Sequence, residues 1–515
     1  MCKDDQPESL DDLIAAAKSV CGVSGAPSPI RIGHYFDPPS GIGEANLLEG
    51  ERNILLFGLN GAGKSTRILI ELLATARGRS LVVFDVKGEL AAQTAEERRK
   101  HGRVVILNPL KLHVERYPDL AGDVFNPLEF IDPDDDHCYS NAAAVAHAAI
   151  EIDPHEHQKF FPESAQGLLI ALICWECVLA KRESRVASLV NVHTMLTEPE
   201  EWKKGKGGKE YLVKGLKLTI ARMVDKGGAL IARLVGEFAR EHGLNEIASV
   251  ISSTKTPLRW INDPLMRASL EGRGIDFRRL RDGDEPTTVY VILPAGDLTE
   301  FRPWSRMVIS TALRAQYRPG RFGTLFVLDE FFAALGHMKV IEDSWALVRG
   351  WGTQLMPIVQ SALQLKALFN DAWENFAAQA GAVITLGPPG DLFTAEWMSR
   401  RCGKTTVLQL GFNQGQGINN GHGFNAGSGT GGQGVTTNAG SGINFGGNIS
   451  DGLSFQQAER PFLLPQELMD FAPGTGLIWT PGMGTRSIPF FAPNYWQRRD
   501  PWVARVRPNP YRREL

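Results

Sequence analysis

A glycine-rich motif carries the residue types that bind a chain of phosphates. Residues 58–66, GLNGAGKST, fit the pattern G-x-x-x-x-G-K-[ST] through Gly58, Gly63, Lys64 and Ser65. In this pattern backbone N–H groups surround phosphate oxygens, the lysine neutralises the β- and γ-phosphates, and the serine hydroxyl ligates Mg²⁺. The other positions predicted to bind the nucleotide are Asn60, Gly61, Ala62 and Thr66, the last of these at the α-phosphate. A nucleotide with a chain of phosphates, bound with Mg²⁺, is therefore the expected ligand.

Two adjacent carboxylates supply the acidic partners that such a site needs. The apolar run of residues 323–328 is followed directly by Asp329 and Glu330. We expect this run to form a parallel strand next to the strand of the glycine-rich motif, with both side chains at its carboxyl end. Asp329 can then hold the Mg²⁺ shell, and Glu330 can orient and activate the attacking water. A water-activating glutamate favours a hydrolase over a kinase.

Two further polar residues are weaker candidates for catalysis. Gln360 ends the apolar run TQLMPIVQ, where an amide could sense the γ-phosphate; the alternative is an ordinary glutamine at the end of a strand. Arg349 precedes that run and could reach the nucleotide of a neighbouring subunit as an arginine finger. The alternative for Arg349 is an exposed, solvated charge.

The elements that must position these residues alternate between strands and helices. Continuous apolar runs separated by helical sequence indicate a mainly parallel sheet covered on both faces, that is, an α/β fold. The predicted strands are NILLFG, SLVVFD, RVVILN, TTVYVILP, GTLFVLDE, TQLMPIVQ and GAVITLG. Three of these runs lie near the start of the chain and four lie after residue 280, with mostly helical patterns between them.

The spacing of the strands predicts one nucleotide-binding domain interrupted by an all-α inserted domain. Residues 411–450 are rich in Gly and Asn, which favours a flexible loop over an ordered glycine-rich structure or a partner-binding segment. The strand-like sequence after this tract is expected to return to the edge of the main sheet. The predicted divisions are an N-terminal segment of unclear role (1–30), the nucleotide-binding domain (31–154 and 281–410), the insertion (155–280), the Gly/Asn-rich loop (411–450) and the C-terminal return (451–515).

Composition limits the classes of protein that remain. The 515 residues are 43% hydrophobic and 22% charged, as in soluble globular proteins. The net charge is -3, so binding of nucleic acid would need a local basic surface. Cys174 and Cys177 form a C-x-x-C inside the apolar run of residues 167–180, where helical spacing favours two buried thiols over a metal or redox pair. That run is shorter than the roughly 20 residues needed to cross a bilayer, and we predict no membrane span or signal peptide.

Several motifs resemble, in their residues and in their order along the chain, those of the coupling ATPases of type IV secretion and conjugation. These TraG/TraD-type proteins are related to the hexameric FtsK and HerA motors. The resemblance covers about residues 30–500, and the order of D-x-KGE, NPL and QS-x-x-QL is more specific than the phosphate motif or the Asp-Glu pair. The matching segments are FDVKGE (84–89), FNPL (125–128), VLDEF (327–331), the spacing from Arg349 to Gln360, QSALQL (360–365) and RPFLLPQEL (460–468).

The resemblance implies a RecA-like P-loop domain that assembles as a homo-hexamer with ATP at the subunit interfaces. It makes Arg349 the finger that acts across the interface, and it places Asp85 and Lys87 on the strand beside the P-loop, where they support the site. Within the family, such rings deliver DNA, relaxase–DNA complexes or effector proteins to a secretion channel.

Membrane attachment is where this sequence departs from the family. Many members begin with a membrane anchor, whereas here about fifty residues precede the P-loop and no anchor is predicted. The implied protein is cytoplasmic and peripheral at the inner face of the bacterial membrane. Either it docks on a separate membrane protein, or the anchor was lost. Two other functions stay open: an ATP-dependent receptor or scaffold without translocation, and a DNA pump of the HerA or FtsK type.

Overall fold

The structure is a computed structural model that divides into two compact units. One unit is formed by residues 1–395 and 469–515, and the other by residues 396–468. Residues 1–27 of the N-terminal segment lie outside the described part of the chain. The described residues are 28–35, 45–48, 50–152, 158–204, 210–236, 238–239, 244–427, 438–481 and 487–511.

The strands of these residues form one large sheet and two hairpins. The large sheet has the order β2-β1-β15-β14-β11-β3-β10-β9-β4-β8-β5, and the hairpins are β6-β7 and β12-β13. The strands are β1 (Ile30–Tyr35), β2 (Ala45–Leu48), β3 (Ile54–Gly58), β4 (Arg79–Asp85), β5 (Arg103–Leu107), β6 (Glu201–Lys204), β7 (Glu210–Lys214), β8 (Thr287–Ile292), β9 (Gly323–Leu328), β10 (Thr353–Val359), β11 (Ala382–Leu386), β12 (Lys404–Gly427), β13 (Asn438–Pro461), β14 (Thr475–Trp479) and β15 (Ile488–Phe491).

The core of the large sheet is parallel, as predicted. All seven strands predicted from apolar runs are present, as β3, β4, β5, β8, β9, β10 and β11, and each pairs in parallel with its neighbours among them. Every residue of β3, β4 and β10 is buried. Strands covered on both faces need apolar side chains at successive positions, which is why these runs do not alternate with polar residues. The predicted α/β fold is confirmed.

The order of the strands differs from the prediction at two places. β10 lies between β3 and β9, so Asp329 follows a strand that is one removed from the P-loop strand. β4, which ends in Asp85, is separated from β3 by both β10 and β9. The prediction that these two strands flank the P-loop strand is therefore wrong. Long crossovers connect parallel strands, so neighbours along the chain need not be neighbours in the sheet.

The last part of the chain extends the sheet with antiparallel strands, as expected. β14 pairs with β11, β15 pairs with β14, and β1 and β2 complete this edge. Strands β1 and β2 were not predicted.

The helices between the strands of the large sheet are Ile70–Thr75, preceded by a π-helical turn at Ser65–Leu69, and then Glu89–Arg99, Leu298–Arg314, Phe331–Leu335, Lys339–Leu347, Ala362–Phe369, Trp373–Gln379 and Leu392–Cys402.

Mostly helical structure occupies the chain between β5 and β8. The antiparallel hairpin β6-β7 lies within it, so the prediction that this segment contains no strand is wrong. Its boundary as an inserted domain stays a prediction. The helices are Cys138–Ala149, Phe160–Arg182, Leu189–Thr197, Leu216–Lys226, Gly228–Val235, Leu244–Lys255, Pro264–Ala268 and Arg279–Asp282, with a 3₁₀ segment at Thr256–Asn262.

The helix Phe160–Arg182 is long and apolar enough to cross a membrane by length and composition, but it packs as a core helix. In its most apolar window 67% of the residues are buried within the protein. Glu176 is fully buried and forms an ion pair with Arg185, whose Nη2 donates to Oε2 at 2.9 Å. Cys174 and Cys177 are buried free thiols, as predicted. The polar contacts of Glu176 and the packing of this helix are those of a protein interior.

The second unit contains a long two-stranded ribbon where the sequence favours a flexible loop. β12 and β13 pair without a register shift from Lys404 with Pro461 to Gly427 with Asn438. The loop prediction for residues 411–450 is therefore wrong at the described positions 411–427 and 438–450, and the ordered glycine-rich alternative is what the structure has. Backbone pairing needs no apolar side chains, which is why low hydrophobicity misled the prediction.

Shortening this ribbon is expected to leave the stability of the protein almost unchanged. Asn413 pairs with Gly452, so residues 413–452 can be removed and Phe412 joined to Leu453 through an Asn-Gly turn. In the described sheets the two strands pair only with each other, and such a ribbon adds little stability of its own. Calorimetry should give a melting temperature near that of the wild type. A drop of more than about 4 °C would show that the ribbon stabilises the rest of the chain.

Candidate functional site

The phosphate-binding loop connects the buried strand β3 to a helix. β3 ends at Gly58, and the helical turn that continues into Ile70–Thr75 begins at Ser65. Gly61 and Gly63 have φ angles of 84° and 87°, in the left-handed region that favours glycine. The backbone therefore turns tightly just before a helix N-terminus, the arrangement in which N–H groups can surround a phosphate.

Lys64 lies at the centre of this loop. Its Nζ donates to the backbone oxygen of Gly58 at 2.9 Å and to that of Leu59 at 3.4 Å. The same Nζ lies 3.7 Å from Oε1 of Glu330. Lys64 is only 8% exposed, so this ammonium is held in place inside the loop. The structure thus brings the predicted phosphate-binding lysine next to the predicted water-activating carboxylate.

The two hydroxyls that follow Lys64 have partners that the sequence analysis did not assign to them. Ser65 Oγ donates to Oε1 of Glu89 at 2.9 Å. Thr66 Oγ1 donates to Oδ1 of Asn494 at 2.8 Å. Glu89 belongs to the quoted FDVKGE motif, so a search for a carboxylate that faces Ser65 could have found it. No local signal marks Asn494, which is 428 positions from Thr66 in the chain.

Asp329 and Glu330 lie at the carboxyl end of β9, as predicted. The backbone N–H of Glu330 donates to Oδ1 of Asp329 at 3.0 Å. Glu330 has a φ of 49°, a left-handed conformation that is strained for a residue with a side chain. Burial raises the pKa of Asp329 to about 6, and the negative charge of Glu330 acts in the same direction, while Lys64 opposes both. A bound cation would favour the ionised form of this carboxylate.

Gln360 lies at the end of β10 and contacts Glu330 directly. Its Nε2 donates to Oε2 of Glu330 at 2.9 Å and to Oδ1 of Asn60 at 3.2 Å. The amide therefore connects the P-loop with the carboxylate and fixes the direction of the carboxylate oxygens. This position is the one predicted for a residue that senses the γ-phosphate.

The loop after β4 forms another wall of the site. Burial raises the pKa of Asp85 to about 7, although the N–H of Ala91, which donates to Oδ2 at 2.8 Å, favours the ionised form. The backbone oxygen of Lys87 accepts from the hydroxyl of Tyr511 at 2.8 Å. Asp85 is thus a buried support of the loop, and Lys87 and Glu89 face the same cavity as the P-loop.

These residues surround an open cavity of about 760 Å³. The predicted site residues in its lining are Asn60, Gly61, Gly63, Lys64, Ser65, Thr66, Asp329 and Glu330. Gly58 and Ala62 are in the same loop, and Gln360 reaches it through its hydrogen bonds. Arg349 is different, because it is exposed and precedes β10. β10 runs parallel to β3. Arg349 therefore lies at the amino ends of these strands, whereas Lys64 lies beyond their carboxyl ends.

The donor set of the cavity fits Mg²⁺. Ser65, Asp329 and Glu89 offer hydroxyl and carboxylate oxygens, which are the ligands that this ion prefers. Among the described residues no group of three His, Cys, Asp or Glu side chains could hold a metal by itself. Mg²⁺ at nucleotide sites is commonly held by one or two carboxylates together with substrate phosphates, so a sparse set is sufficient.

Comparison with known proteins places the chain among proteins of conjugative transfer. The sequence model of the family described as "Type IV secretory system Conjugative DNA transfer" matches residues 31–483. A conjugal transfer protein TraG of Agrobacterium fabrum is 26% identical over 480 residues, covering 90% of this chain and 63% of that protein. The coupling protein VirD4 of Bartonella quintana is 25% identical over 384 residues, covering 72% and 56%. The chain thus spans about three fifths of the length of these curated relatives.

Solved structures with a similar fold belong to a plasmid coupling protein. The bacterial conjugative coupling protein TrwB, in an unbound form, has a TM-score of 0.58 at 14% identity, covering 86% of this chain and 85% of that one. A complex of TrwB with a non-hydrolysable ATP analogue also has a TM-score of 0.58, covering 92% and 97%. TrwB has also been solved with ADP and Mg²⁺. At this identity the likeness shows the fold alone, a RecA-like P-loop domain.

Proposed function

Because the chain belongs to the type IV secretory system conjugative DNA transfer family, we propose that it is a coupling ATPase that drives substrates into a type IV secretion or conjugation channel. The observation that carries this proposal is the position of Glu330, with Lys64 3.7 Å away and Gln360 bonded to it at 2.9 Å. A carboxylate held beside a phosphate-binding lysine can orient a water molecule in line with the γ-phosphate.

Each residue of the site has a defined task in the proposed hydrolysis of ATP. The backbone from Gly58 to Gly63 surrounds the phosphates, and Lys64 neutralises charge on the β- and γ-phosphates. Glu330 accepts a hydrogen bond from the attacking water and takes its proton. Gln360 holds Glu330 in position and links it to the P-loop, so that the state of the γ-phosphate can be transmitted along β10.

Ser65 and Asp329 are the residues that would hold Mg²⁺, with Glu89 as hydrogen-bond partner of the serine. Bound Mg²⁺ supplies neutralisation of the phosphate charge that develops as the γ-phosphoryl group leaves. Thr66 faces the α-phosphate, and Arg349 serves a neighbouring subunit as its arginine finger. The places of Ser65, Thr66 and Asp329 in the lining of the P-loop cavity support their assignments, whereas that of Arg349 rests on the resemblance to the family.

The proposed assembly is a homo-hexamer with the nucleotide at each subunit interface. Its substrates are DNA, a relaxase–DNA complex or effector proteins, and its partners are components of the secretion channel. The net charge of -3 means that contact with DNA requires a local basic surface on the ring. The proposed place of action is the cytoplasmic face of the bacterial membrane.

A receptor or scaffold that binds ATP without translocation is the second candidate function. Arg349 is far from the phosphate loop of its own chain, so a chain that does not assemble into a ring would bind ATP without a complete catalytic set. A DNA pump of the HerA or FtsK type is a third candidate. Genes for a relaxase and for channel proteins beside this gene would support the coupling protein over the pump.

Replacement Glu330→Gln tests hydrolysis against scaffolding. The variant should bind ATP normally, because Lys64 and Asp329 are unchanged, and release phosphate about 10²-fold more slowly, the usual contribution of a general base. Titration with a fluorescent ATP analogue and a phosphate-release assay measure the two properties. Glu374→Gln is the matched control, because Glu374 is exposed on the helix Trp373–Gln379 and does not line the cavity. Wild-type turnover in Glu330→Gln would mean that another group activates water or that the turnover arises elsewhere.

A further inference from the structure

The C-terminal segment of residues 494–511, here called the C-terminal strap, forms one side of the P-loop cavity. Asn494 and Trp496 line the cavity from the start of the strap, and Asn509 and Tyr511 line it from the end. Asn509 Nδ2 donates to Oε2 of Glu89 at 3.0 Å. None of these residues belongs to the phosphate motif or to the acidic pair, so the strap contributes a separate wall to the site.

The two ends of the strap contact different parts of the wall of the P-loop cavity. Asn509 and Tyr511 contact the loop of Lys87 and Glu89, which is the side of Ser65 and therefore of the metal and the γ-phosphate. Asn494 contacts Thr66, the residue after Ser65 in the helix that begins at the P-loop. This is the side of the α-phosphate, where the ribose and the base leave the phosphate chain.

Trp496 follows Asn494 by two residues and is held by contacts on both sides of it. The Asn494 side chain and the Gln497 side chain form a capping box around the 3₁₀ turn Tyr495–Gln497. The hydroxyl of Tyr495 accepts from Nε2 of Gln93 at 3.1 Å. Arg498 forms a buried ion pair with Glu71 of the helix that follows the P-loop. The backbone at Trp496 is thus fixed, while its indole is 46% exposed and lines the cavity.

We propose that the indole of Trp496 is the surface on which the base of the bound nucleotide stacks, an inference that rests on the proposed function of the same site. An aromatic face held beside the α-phosphate end of a P-loop offers a stacking partner to a base, and stacking does not require hydrogen bonds to the edge of that base. Every base has a π-face, so stacking selects nucleotides over bare polyphosphate and does not discriminate between purines. Trp496 is therefore a determinant of nucleoside binding, separate from the phosphate-binding residues.

The test compares a ligand that has a base with one that lacks it. Calorimetric titration of the full chain with ATP, GTP and inorganic tripolyphosphate, each with Mg²⁺, gives three dissociation constants. Trp496→Ala should raise the dissociation constants of ATP and GTP to a similar extent, each by about 10-fold, and leave that of tripolyphosphate unchanged. Trp496→Phe should restore most of the loss. Trp202→Ala is the control, because Trp202 is 53% exposed on the hairpin β6-β7, away from the cavity.

The outcomes separate this inference from the proposed function. If wild type binds all three ligands and Trp496→Ala binds ATP as tightly as wild type, stacking on Trp496 is refuted and the phosphate site stands. If Trp496→Ala binds ATP and tripolyphosphate more weakly by the same factor, the inference is also refuted, since the residue would then only support the strap. If the wild-type chain binds neither ATP nor tripolyphosphate, the proposed function fails and the inference fails with it.

Discussion

Lys64→Ala is expected to reduce ATP turnover to below about 1% of the wild-type rate, because loss of one preorganised phosphate donor costs about 10²–10³ in rate. The Nζ of Lys64 is the cationic group inside the P-loop, and the neighbouring Arg67 donates to the backbone oxygen of Ala492 instead. A phosphate-release assay at saturating ATP measures the effect.

The fold of Lys64→Ala should remain intact. The lysine donates to the backbone oxygens of Gly58 and Leu59 within its own loop, and each such bond is worth about 1 kcal/mol. Lys203→Ala is the matched control, because Lys203 is exposed on β6 and its ion pair with Glu201 is a surface contact at 3.5 Å. Wild-type turnover by the Lys64→Ala variant would mean that the P-loop is not the site of ATP hydrolysis. Loss of both turnover and thermal stability would mean that Lys64 is structural.

Arg349→Ala should hydrolyse ATP roughly 10³-fold more slowly, and mixing it with Lys64→Ala subunits should restore part of the activity. Arg349 is exposed and precedes β10, whose seven residues at about 3.3 Å each separate it from the carboxyl edge where Glu330 lies. It cannot reach the P-loop of its own chain. In a ring, an Arg349→Ala subunit keeps its P-loop and can use the finger of a Lys64→Ala neighbour, and such fingers are worth about 10³–10⁵ in rate.

The mixing experiment requires proof that the two variants assemble together. Native mass spectrometry of differently tagged subunits provides it, and phosphate release by the mixture is then compared with that of each variant alone. Arg222→Ala is a control, since Arg222 is an exposed arginine of the helix Leu216–Lys226. Mixed rings that stay as inactive as either parent would leave Arg349 without a role across the interface.

The strands of the core were predictable, and their order was not. A strand buried on both faces needs consecutive apolar residues, so runs such as that of β3 or β10 are visible in the sequence. The pairing of β10 between β3 and β9 depends on the path of long crossovers, which local sequence does not record. The flexible loop assigned to residues 411–450 shows a second limit, because a ribbon held by backbone hydrogen bonds can form from Gly and Asn.

The residues of the candidate site also fall into two groups, those that local sequence identifies and those that it does not. The sequence pointed to Lys64, Ser65 and Glu330 because their predicted roles require fixed spacing from a strand or a turn, and that spacing is local. The structure brings the three residues to one cavity, and their roles stay predictions. Gln360 was found for the same reason, although its bond to Glu330 came only from the structure. The C-terminal strap was missed because its contacts with the P-loop join residues more than 400 positions apart, with no motif at either Asn494 or Trp496.

Steady-state phosphate release by the purified chain, with and without DNA, tests the central claim most directly. We expect ATP hydrolysis that DNA accelerates, because the energy of the reaction serves movement of a DNA or nucleoprotein substrate. Glu330→Gln and Lys64→Ala should each reduce this hydrolysis about 10²-fold or more. A wild-type chain that binds ATP with Mg²⁺ yet releases no phosphate, with or without DNA, would contradict the motor and leave the ATP-dependent receptor in its place.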